Sequence, residues 1–320
     1  MSFSKDVKEE LSRAIPPARH CQVAEIAAII SLCGHVVISA RNKYSVKIHT
    51  ENIAVARKYF TLLKKAFNID AEISIRQNAL LKNGRVYTVT VNQHESAVRV
   101  LQATRLIDRN QEIEENMSIV NNVVIMQDCC KRAFIRGAFL AAGSISAPEK
   151  SYHFEIVCES EPKAEQLSKI IKTFRIDSKI VERKKHFVVY IKEGAGIVDI
   201  LNVMQAHISL MDLENVRILK EMRNSVNRKV NCETANLTKT INAAVKQVED
   251  IRYIESTIGL SALPEVLEEA AKVRLNNPDA SLKELGEAMC PPLGKSGMNH
   301  RLKRISEIAS ELKGKEEERK

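Results

Sequence analysis

Two short runs, Phe67-Asn68-Ile69-Asp70 and Phe174-Arg175-Ile176-Asp177, each stand in front of a pair of alternating apolar and polar segments. The elements around them recur in the same order, and an internal repeat restricts a fold more than composition does. In the first copy the pattern predicts an apolar helix from Val23 to Leu32, ending at Gly34. Strands follow at His35 to Ala40 and Tyr44 to Thr50. Glu51 to Phe67 carries Val55, Tyr59, Leu62, Leu63 and Phe67 on one helical face. Ala71 to Arg76 and Val86 to Asn92 alternate as strands do, joined by Lys82-Asn83-Gly84-Arg85, a tight-turn pattern. A helix from Glu95 to Leu106 closes the copy. The second copy predicts a small-residue helix from Arg132 to Ala142 ending at Gly143, a strand Phe154 to Cys158 and a helix Glu161 to Phe174. Strands Ser178 to Arg183 and His186 to Lys192 and a helix from Ile197 to Leu210 complete it. A duplicated α-β-β-α-β-β-α unit implies a pseudo-two-fold α+β domain over residues 1–222, with repeats at about 21–107 and 129–213. Each antiparallel sheet then has one face on helices and one face free.

The chain has 320 residues, enough for two domains at roughly 150 residues each. Lys and Arg number 49 against 40 Asp and Glu, a net charge of +9 that favours polyanionic partners. Aromatic residues are 4% with no Trp, which argues against a base-stacking platform. The strands and turns hold Arg41, Lys43, Lys47, Arg76, Lys82, Arg85, Lys179, Arg183, Lys184, Lys185 and Lys192. Two readings stand side by side: a solvated sheet face, or a basic saddle that tracks a phosphate backbone.

No stretch approaches ~18 consecutive apolar residues, and Met1 to Leu11 is too polar for a signal peptide. A cytoplasmic chain with no membrane partner is expected. Seven cysteines are an odd count with no Cys-x-x-Cys spacing. That pattern speaks against a disulfide framework or a zinc site, so no metal and no cofactor are expected. Cys129-Cys130 reads as ordinary buried thiols rather than a redox pair. No phosphate-binding glycine loop, Gly-x-Ser-x-Gly or His-Glu-x-x-His is present. His94, His153, His186 and His207 are scattered without ligand spacing.

Beyond Val216 the composition changes. Between Arg217 and Lys246 there are seven basic and two acidic residues. Asn224 to Thr240 lacks a sustained apolar face and reads as a linker passing into a helix from Thr238 to Glu255. A second, all-α domain is expected in 223–320, its core at about 256–312. Pro264 and Glu265 start a helix that runs to Leu275. Ser281 and Glu284 form a capping box for a second helix, and Cys290-Pro291-Pro292-Leu293-Gly294 breaks it. A third helix runs from Lys295 or Ser296 through Leu312. Helix, break, helix over a supporting helix is the helix-turn-helix plan, here with a longer, proline-rich turn. Residues 251–290 hold four basic and seven acidic side chains, whereas 291–306 hold Lys295, Arg301, Lys303 and Arg304 and no acid. Ser296, Asn299, His300 and Arg301 have the chemistry to read major-groove edges. Ser281, Lys295, Lys303, Arg304, Arg228 and Lys229 are candidate phosphate contacts, and Gly297 removes bulk where a backbone could approach a phosphate.

Asn227-Arg228-Lys229-Val230-Asn231-Cys232-Glu233-Thr234-Ala235-Asn236-Leu237-Thr238-Lys239-Thr240, then Pro291-Pro292-Leu293-Gly294-Lys295-Ser296-Gly297-Met298-Asn299-His300-Arg301-Leu302, resemble the WhiA family of bacterial DNA-binding regulators. Phe3 to Leu11 and the helix Phe134 to Gly143 fit it too. The resemblance covers essentially the whole chain. It implies a degenerate LAGLIDADG homing-endonuclease-like domain followed by a helix-turn-helix domain. It also implies a transcription regulator, associated with the nucleoid, acting in sporulation, cell division and chromosome segregation. In the endonuclease relatives each motif helix delivers a carboxylate just before its final glycine to bind a divalent cation. Here those positions are Cys33 and Ala142, and neither offers an oxygen ligand to a hard cation. A binding scaffold without nuclease activity is expected. Its partner would be double-stranded DNA, with another transcription regulator or RNA polymerase as protein partner. The alternative is that the N-terminal domain is an interaction module recruiting a regulator, with DNA bound only by the C-terminal domain. The internal two-fold makes a monomer sufficient.

Overall fold

The computed structural model describes residues 2–39, 43–77, 84–107 and 120–317. The chain divides into two units, Met1–Lys220 and Glu221–Lys320.

The first unit is the duplicated α+β domain. A short amphipathic helix α1 (Phe3–Arg13) precedes the first copy: α2 (Arg19–Cys33), β1 (Gly34–Ile38), β2 (Tyr44–Thr50), α3 (Ile53–Phe67), β3 (Glu72–Gln77), β4 (Arg85–Val91) and α4 (His94–Ala103). The second copy is α5 (Asp128–Ala142), β5 (Gly143–Ile145), β6 (Phe154–Cys158), α6 (Glu161–Lys172), β7 (Lys179–Arg183), β8 (His186–Ile191) and α7 (Gly194–Met204). Both sheets are antiparallel, with strand orders β1-β2-β4-β3 and β5-β6-β8-β7. Their registers match: Gly34 pairs with Ile48 and Lys47 with Thr90, as Gly143 pairs with Ile156 and Glu155 with Tyr190.

α2 and α5 are each fifteen residues long, and each runs straight into a strand at its terminal glycine. They pack on each other at the centre of the domain. Small residues permit this: a Cβ at Gly137 would lie 2.6 Å from the Glu25 carbonyl and 3.0 Å from the Ala28 Cβ. α2 is apolar on nearly every side because two cores meet on it. Ala24, Ala27 and Ala28 face α5, while Ile26, Ile29 and Ile30 pack with Val46, Ile48, Tyr59 and Leu62 of the first copy. A helix buried all round shows no apolar stripe, which is why its residue sizes, rather than its periodicity, reveal its neighbours.

α8 (His207–Thr257) leads from the first unit into the second, and it corrects the expected linker. Residues 224–240 are helical throughout. The stretch contains no glycine or proline, so nothing in it interrupts backbone pairing. Its apolar residues do recur at helical spacing: Met222, Val226, Val230, Leu237, Ile241 and Val245 are each more than half exposed. Among the described residues, no helix is long and apolar enough to cross a membrane.

In the second unit the end of α8 packs with α9 (Glu265–Asn276), α10 (Leu282–Glu287) and α11 (Lys295–Glu317) around Ile251, Ala270, Leu285, Met298, Leu302 and Ile305. Ser281 caps α10, accepting from the Glu284 amide, while the Glu284 carboxylate accepts from the Ser281 amide. Arg274, 2% exposed, fastens the turn. It donates to Gln247 Oε1 at 2.7 and 3.0 Å and to the Ala280 carbonyl at 2.7 Å.

Candidate functional site

At the C-terminal ends of α2 and α5 stand Cys33 and Ala142, both partly buried. Cys33 Sγ donates to the Ile29 carbonyl at 3.3 Å. Burial pushes its thiol up to about 12, against the pull of Lys8. It is a protonated sulfur, chemically unlike the carboxylate a hard cation requires. α1 instead brings an ammonium group here. Lys8 packs over the Phe139 ring at 5.8 Å, and burial pushes its pKa down to about 8. Lys5, Lys8, His49, Tyr87, Ala141 and Ser144 line a cleft at this end of the helices.

The open sheet faces begin beside that cleft. Side chains alternate along a strand, so register decides which candidates share a face. On the first sheet His35, Lys47, His49, Thr88, Thr90 and Arg76 fall on the open side. His35 and His49 meet edge-to-face at 5.4 Å. Burial lowers the His49 pKa, and the charges of His35, Lys47 and Arg76 lower it further. Lys43 precedes β2 on the same side. Arg85 does not belong to it: it alternates with Tyr87 and Val89, which face the helices. Arg41 and the Lys82-Asn83 turn lie outside the described residues.

On the second sheet Lys179 and Arg183 take the open side, and Lys184 and Lys185 form the two-residue turn between β7 and β8. Both turn residues have positive φ, 47° and 68°, a mirror-image hairpin turn that projects two ammonium groups from the sheet end. Neither face is uniformly basic: Glu72 shares the first sheet's open side with Lys47 and Thr90. Glu155 sits within the second sheet's face, accepting from Ser144 Oγ at 3.0 Å and pairing with His153 at 2.9 Å and Arg183 at 3.5 Å. Burial works to raise the Glu155 pKa, but the bonds from His153 and Ser144 and the Arg183 charge hold it below its ordinary value.

In the second unit α11 presents Lys295, Ser296, Asn299, His300, Lys303 and Arg304 to solvent, while Met298, Leu302 and Ile305 of the same helix are buried. Arg304 pairs with Glu307 at 2.8 Å. Arg301 is half-buried and its Nη1 approaches the Val266 carbonyl at 3.5 Å, so it is turned partly toward the scaffold. Gly297 also makes room for packing: a Cβ there would stand 2.8 Å from the Leu293 side chain. Ser281 is occupied by its capping box, leaving only its hydroxyl hydrogen to give. Arg228 and Lys229 lie on the exposed middle of α8, on helix rather than linker.

Residues 19–107 match the WhiA N-terminal LAGLIDADG-like domain, 131–223 the WhiA LAGLIDADG-like domain and 226–309 the WhiA C-terminal HTH domain. The chain belongs to the WhiA family. A probable cell division protein WhiA from Lachnoclostridium phytofermentans is 55% identical over 98% of this chain and 100% of its own length. One from Clostridium beijerinckii is 49% identical over 98% and 99%. The crystal structure of full-length WhiA from Thermatoga maritima aligns with a TM-score of 0.59 at 27% identity, covering 97% of this chain and 99% of that one. The fold is therefore a duplicated LAGLIDADG-like domain with a C-terminal helix-turn-helix domain.

Within this WhiA-family fold, three groupings were not legible in the sequence. Glu25, Lys58 and Arg136 form a fully buried ion network. Arg136 holds both Glu25 oxygens at 3.1 Å, and Lys58 pairs with Glu25 at 3.1 Å. Lys58 also donates to the carbonyls of Leu11 and Ala14, and Arg136 to Gln205 Oε1 at 2.9 Å. Burial lowers the Lys58 pKa, with Glu25 opposing. Lys8 at the helix ends is the second. The third corrects the reading of Cys129 and Cys130 as ordinary buried thiols: Cys130 is buried but Cys129 is exposed, and both gather with His20 and Cys21 in one cluster.

Proposed function

We propose that this chain is a double-stranded-DNA-binding transcription regulator that acts in cell division, and with it in chromosome segregation and sporulation, without nuclease activity. The observation that carries the reading is the first half of α11. It exposes Ser296, Asn299 and His300 beside Lys295, Lys303 and Arg304, on a scaffold of opposite charge. Asn and His offer groove-edge hydrogen bonds, and lysines hold phosphates without regard to sequence. Arg301, drawn toward Val266, is the weakest of the four proposed base readers, and Arg304 must leave Glu307 to reach a phosphate. The names of the relatives, probable cell division proteins, support the cellular role. Cys33 and Ala142 at the positions where nuclease chemistry needs carboxylates support a scaffold that binds without cutting.

The first sheet, with Lys47, Arg76, His35 and His49 on its open side, supplies a second phosphate-tracking surface. Glu155 within the second sheet's face favours the other reading for that half alone: a surface for a transcription regulator or RNA polymerase rather than DNA. A single chain suffices for this function, which would place the protein on the nucleoid in the cytoplasm.

The test is binding of the full chain to genomic fragments and to random DNA across a salt series. Asn299→Ala should cost about 1–3 kcal/mol on a preferred fragment and far less on random DNA. Lys303→Ala should weaken both alike and reduce the salt slope by about one. Equal losses for Asn299→Ala on both DNAs would overturn the base-reading assignment.

A further inference from the structure

The first turns of α2 and α5 bring four metal-ligating side chains together. His20 and Cys21 are the second and third residues of α2, and Cys129 and Cys130 are the second and third of α5. The helices have equal length and both end at a glycine, so the two pairs occupy matching positions across the pseudo-two-fold. His20 Nδ1 lies 3.2 Å from Cys130 Sγ, 3.4 Å from Cys21 Sγ and 3.9 Å from Cys129 Sγ. All four ligand atoms fall within 4.8 Å of one another. Tetrahedral zinc, with Zn–S of about 2.3 Å and Zn–N of about 2.0–2.1 Å, sets neighbouring ligand atoms about 3.5–3.8 Å apart. The three imidazole–sulfur distances already lie near those edges, and no pair of ligand atoms exceeds 4.8 Å. Thiols are weak hydrogen-bond partners, so mutual hydrogen bonding is a poor reason to gather three of them around one imidazole.

We propose that His20, Cys21, Cys129 and Cys130 form a structural zinc site that staples the N-terminal ends of the two motif helices. Three soft sulfur ligands and one imidazole select zinc over the oxygen-seeking Mg²⁺ and Ca²⁺. Four protein ligands leave no open position, so the site holds structure and does no catalysis. On binding, the three thiols release their protons to solvent and the sulfurs become thiolate ligands. Three thiolates and Zn²⁺ leave one net negative charge, and Arg19 and Arg105 line the adjoining cleft with Val23 and Gln127. Cys21 and Cys130 are buried, whereas His20 and Cys129 are exposed and give the ion its way in. A fifteen-residue helix is about 20 Å long, so the staple stands at the far end of α2 and α5 from Cys33, Ala142 and the open sheet faces. It is independent of any DNA reading.

The experiment uses the full chain, reduced and stripped with a chelator, then titrated with Co²⁺ and afterwards with Zn²⁺. Co²⁺ should bind at about one equivalent with thiolate-to-metal charge-transfer and tetrahedral d–d absorption, and Zn²⁺ should erase both. Zn²⁺ should also shield three of the seven thiols from a thiol reagent and raise the Tm. Cys129→Ser, at an exposed position, should keep the fold by circular dichroism, lose the charge-transfer band and weaken Zn²⁺ binding at least about tenfold. Cys232→Ser, on the exposed stretch of α8, should change nothing. A folded, reduced chain without the cobalt bands, or bands that survive Cys129→Ser unchanged, would overturn the assignment.

Discussion

On the open face of the first sheet Lys47 stands opposite Thr90, with Glu72 on the outer strand beyond. At the same three register positions of the second sheet stand Glu155, Tyr190 and Lys179. The acid and the base have changed places. His35, the neighbour of Lys47, is matched by Ser144, which bonds Glu155. Arg76 and Arg183 remain on both outer strands. Beneath these faces the backbone plan is shared: equal motif helices, the same strand order, the same pairing. Close packing keeps small residues where the two motif helices touch, Ala28 against Gly137, while the open faces tolerate exchange of charge. One half of this molecule thus presents a lysine on its inner strand, and the other presents a carboxylate at the same position.

The shared centre should break most severely. Glu25 lies in the first copy, and its counterpart in the second is the apolar Phe134. Glu25→Ala would leave Lys58 and Arg136 buried without a compensating charge, and urea unfolding should show a loss of about 3–5 kcal/mol. Next comes the helix crossing, where Gly137 faces Ala28. Gly137→Ala drives a methyl into the Glu25 backbone and should cost about 1–3 kcal/mol. The reverse exchange, Ala28→Gly, should cost about 1 kcal/mol by helix propensity and lost packing. Equal and negligible effects from both would show that the helices do not touch as described.

The two open faces separate by salt dependence. Lys47→Ala with Arg76→Ala should lower the slope of DNA affinity against salt by about two. Lys179→Ala with Arg183→Ala should lower it less, because Glu155 already neutralises Arg183. Equal slopes would erase the distinction between the halves. The smallest effect is that of pH. Burial and the charges of His35, Lys47 and Arg76 keep His49 below its ordinary value, so the ring is neutral at pH 7. A phosphate nearby would favour the protonated ring. Binding then takes up a proton, and affinity should rise as pH falls toward the His49 pKa. His49→Gln should flatten that rise in a titration from neutral to mildly acidic pH. Folding responds with the opposite sign: a lowered histidine pKa loses stabilisation as pH falls.

Much of the fold was legible beforehand because its determinants are local. Alternation in β2, β4 and β8, glycine stops on the motif helices, and the Ser281–Glu284 capping box each depend on residues a few positions apart. The same holds for the exposed readers of α11, since Met298, Leu302 and Ile305 mark its buried side. The helical state of residues 224–240 is hidden for a related reason: a helix whose apolar residues stay exposed resembles a loop in composition, and the unbroken backbone pairing of α8 belongs to the structure.

By itself the sequence determined the duplication, the two-unit order and the chemistry available at each helix end, because these follow from short-range sterics and periodicity. Only the tertiary structure decided which distant groups meet. Register put Arg85 on the covered side of its sheet and Lys47 on the open one. Three helices had to converge before Glu25, Lys58 and Arg136 could share one buried site. The pseudo-two-fold brought His20 to Cys129 across 109 residues of chain. No spacing rule reaches such pairs, since their separation along the backbone says nothing about their separation in space once two helices pack side by side.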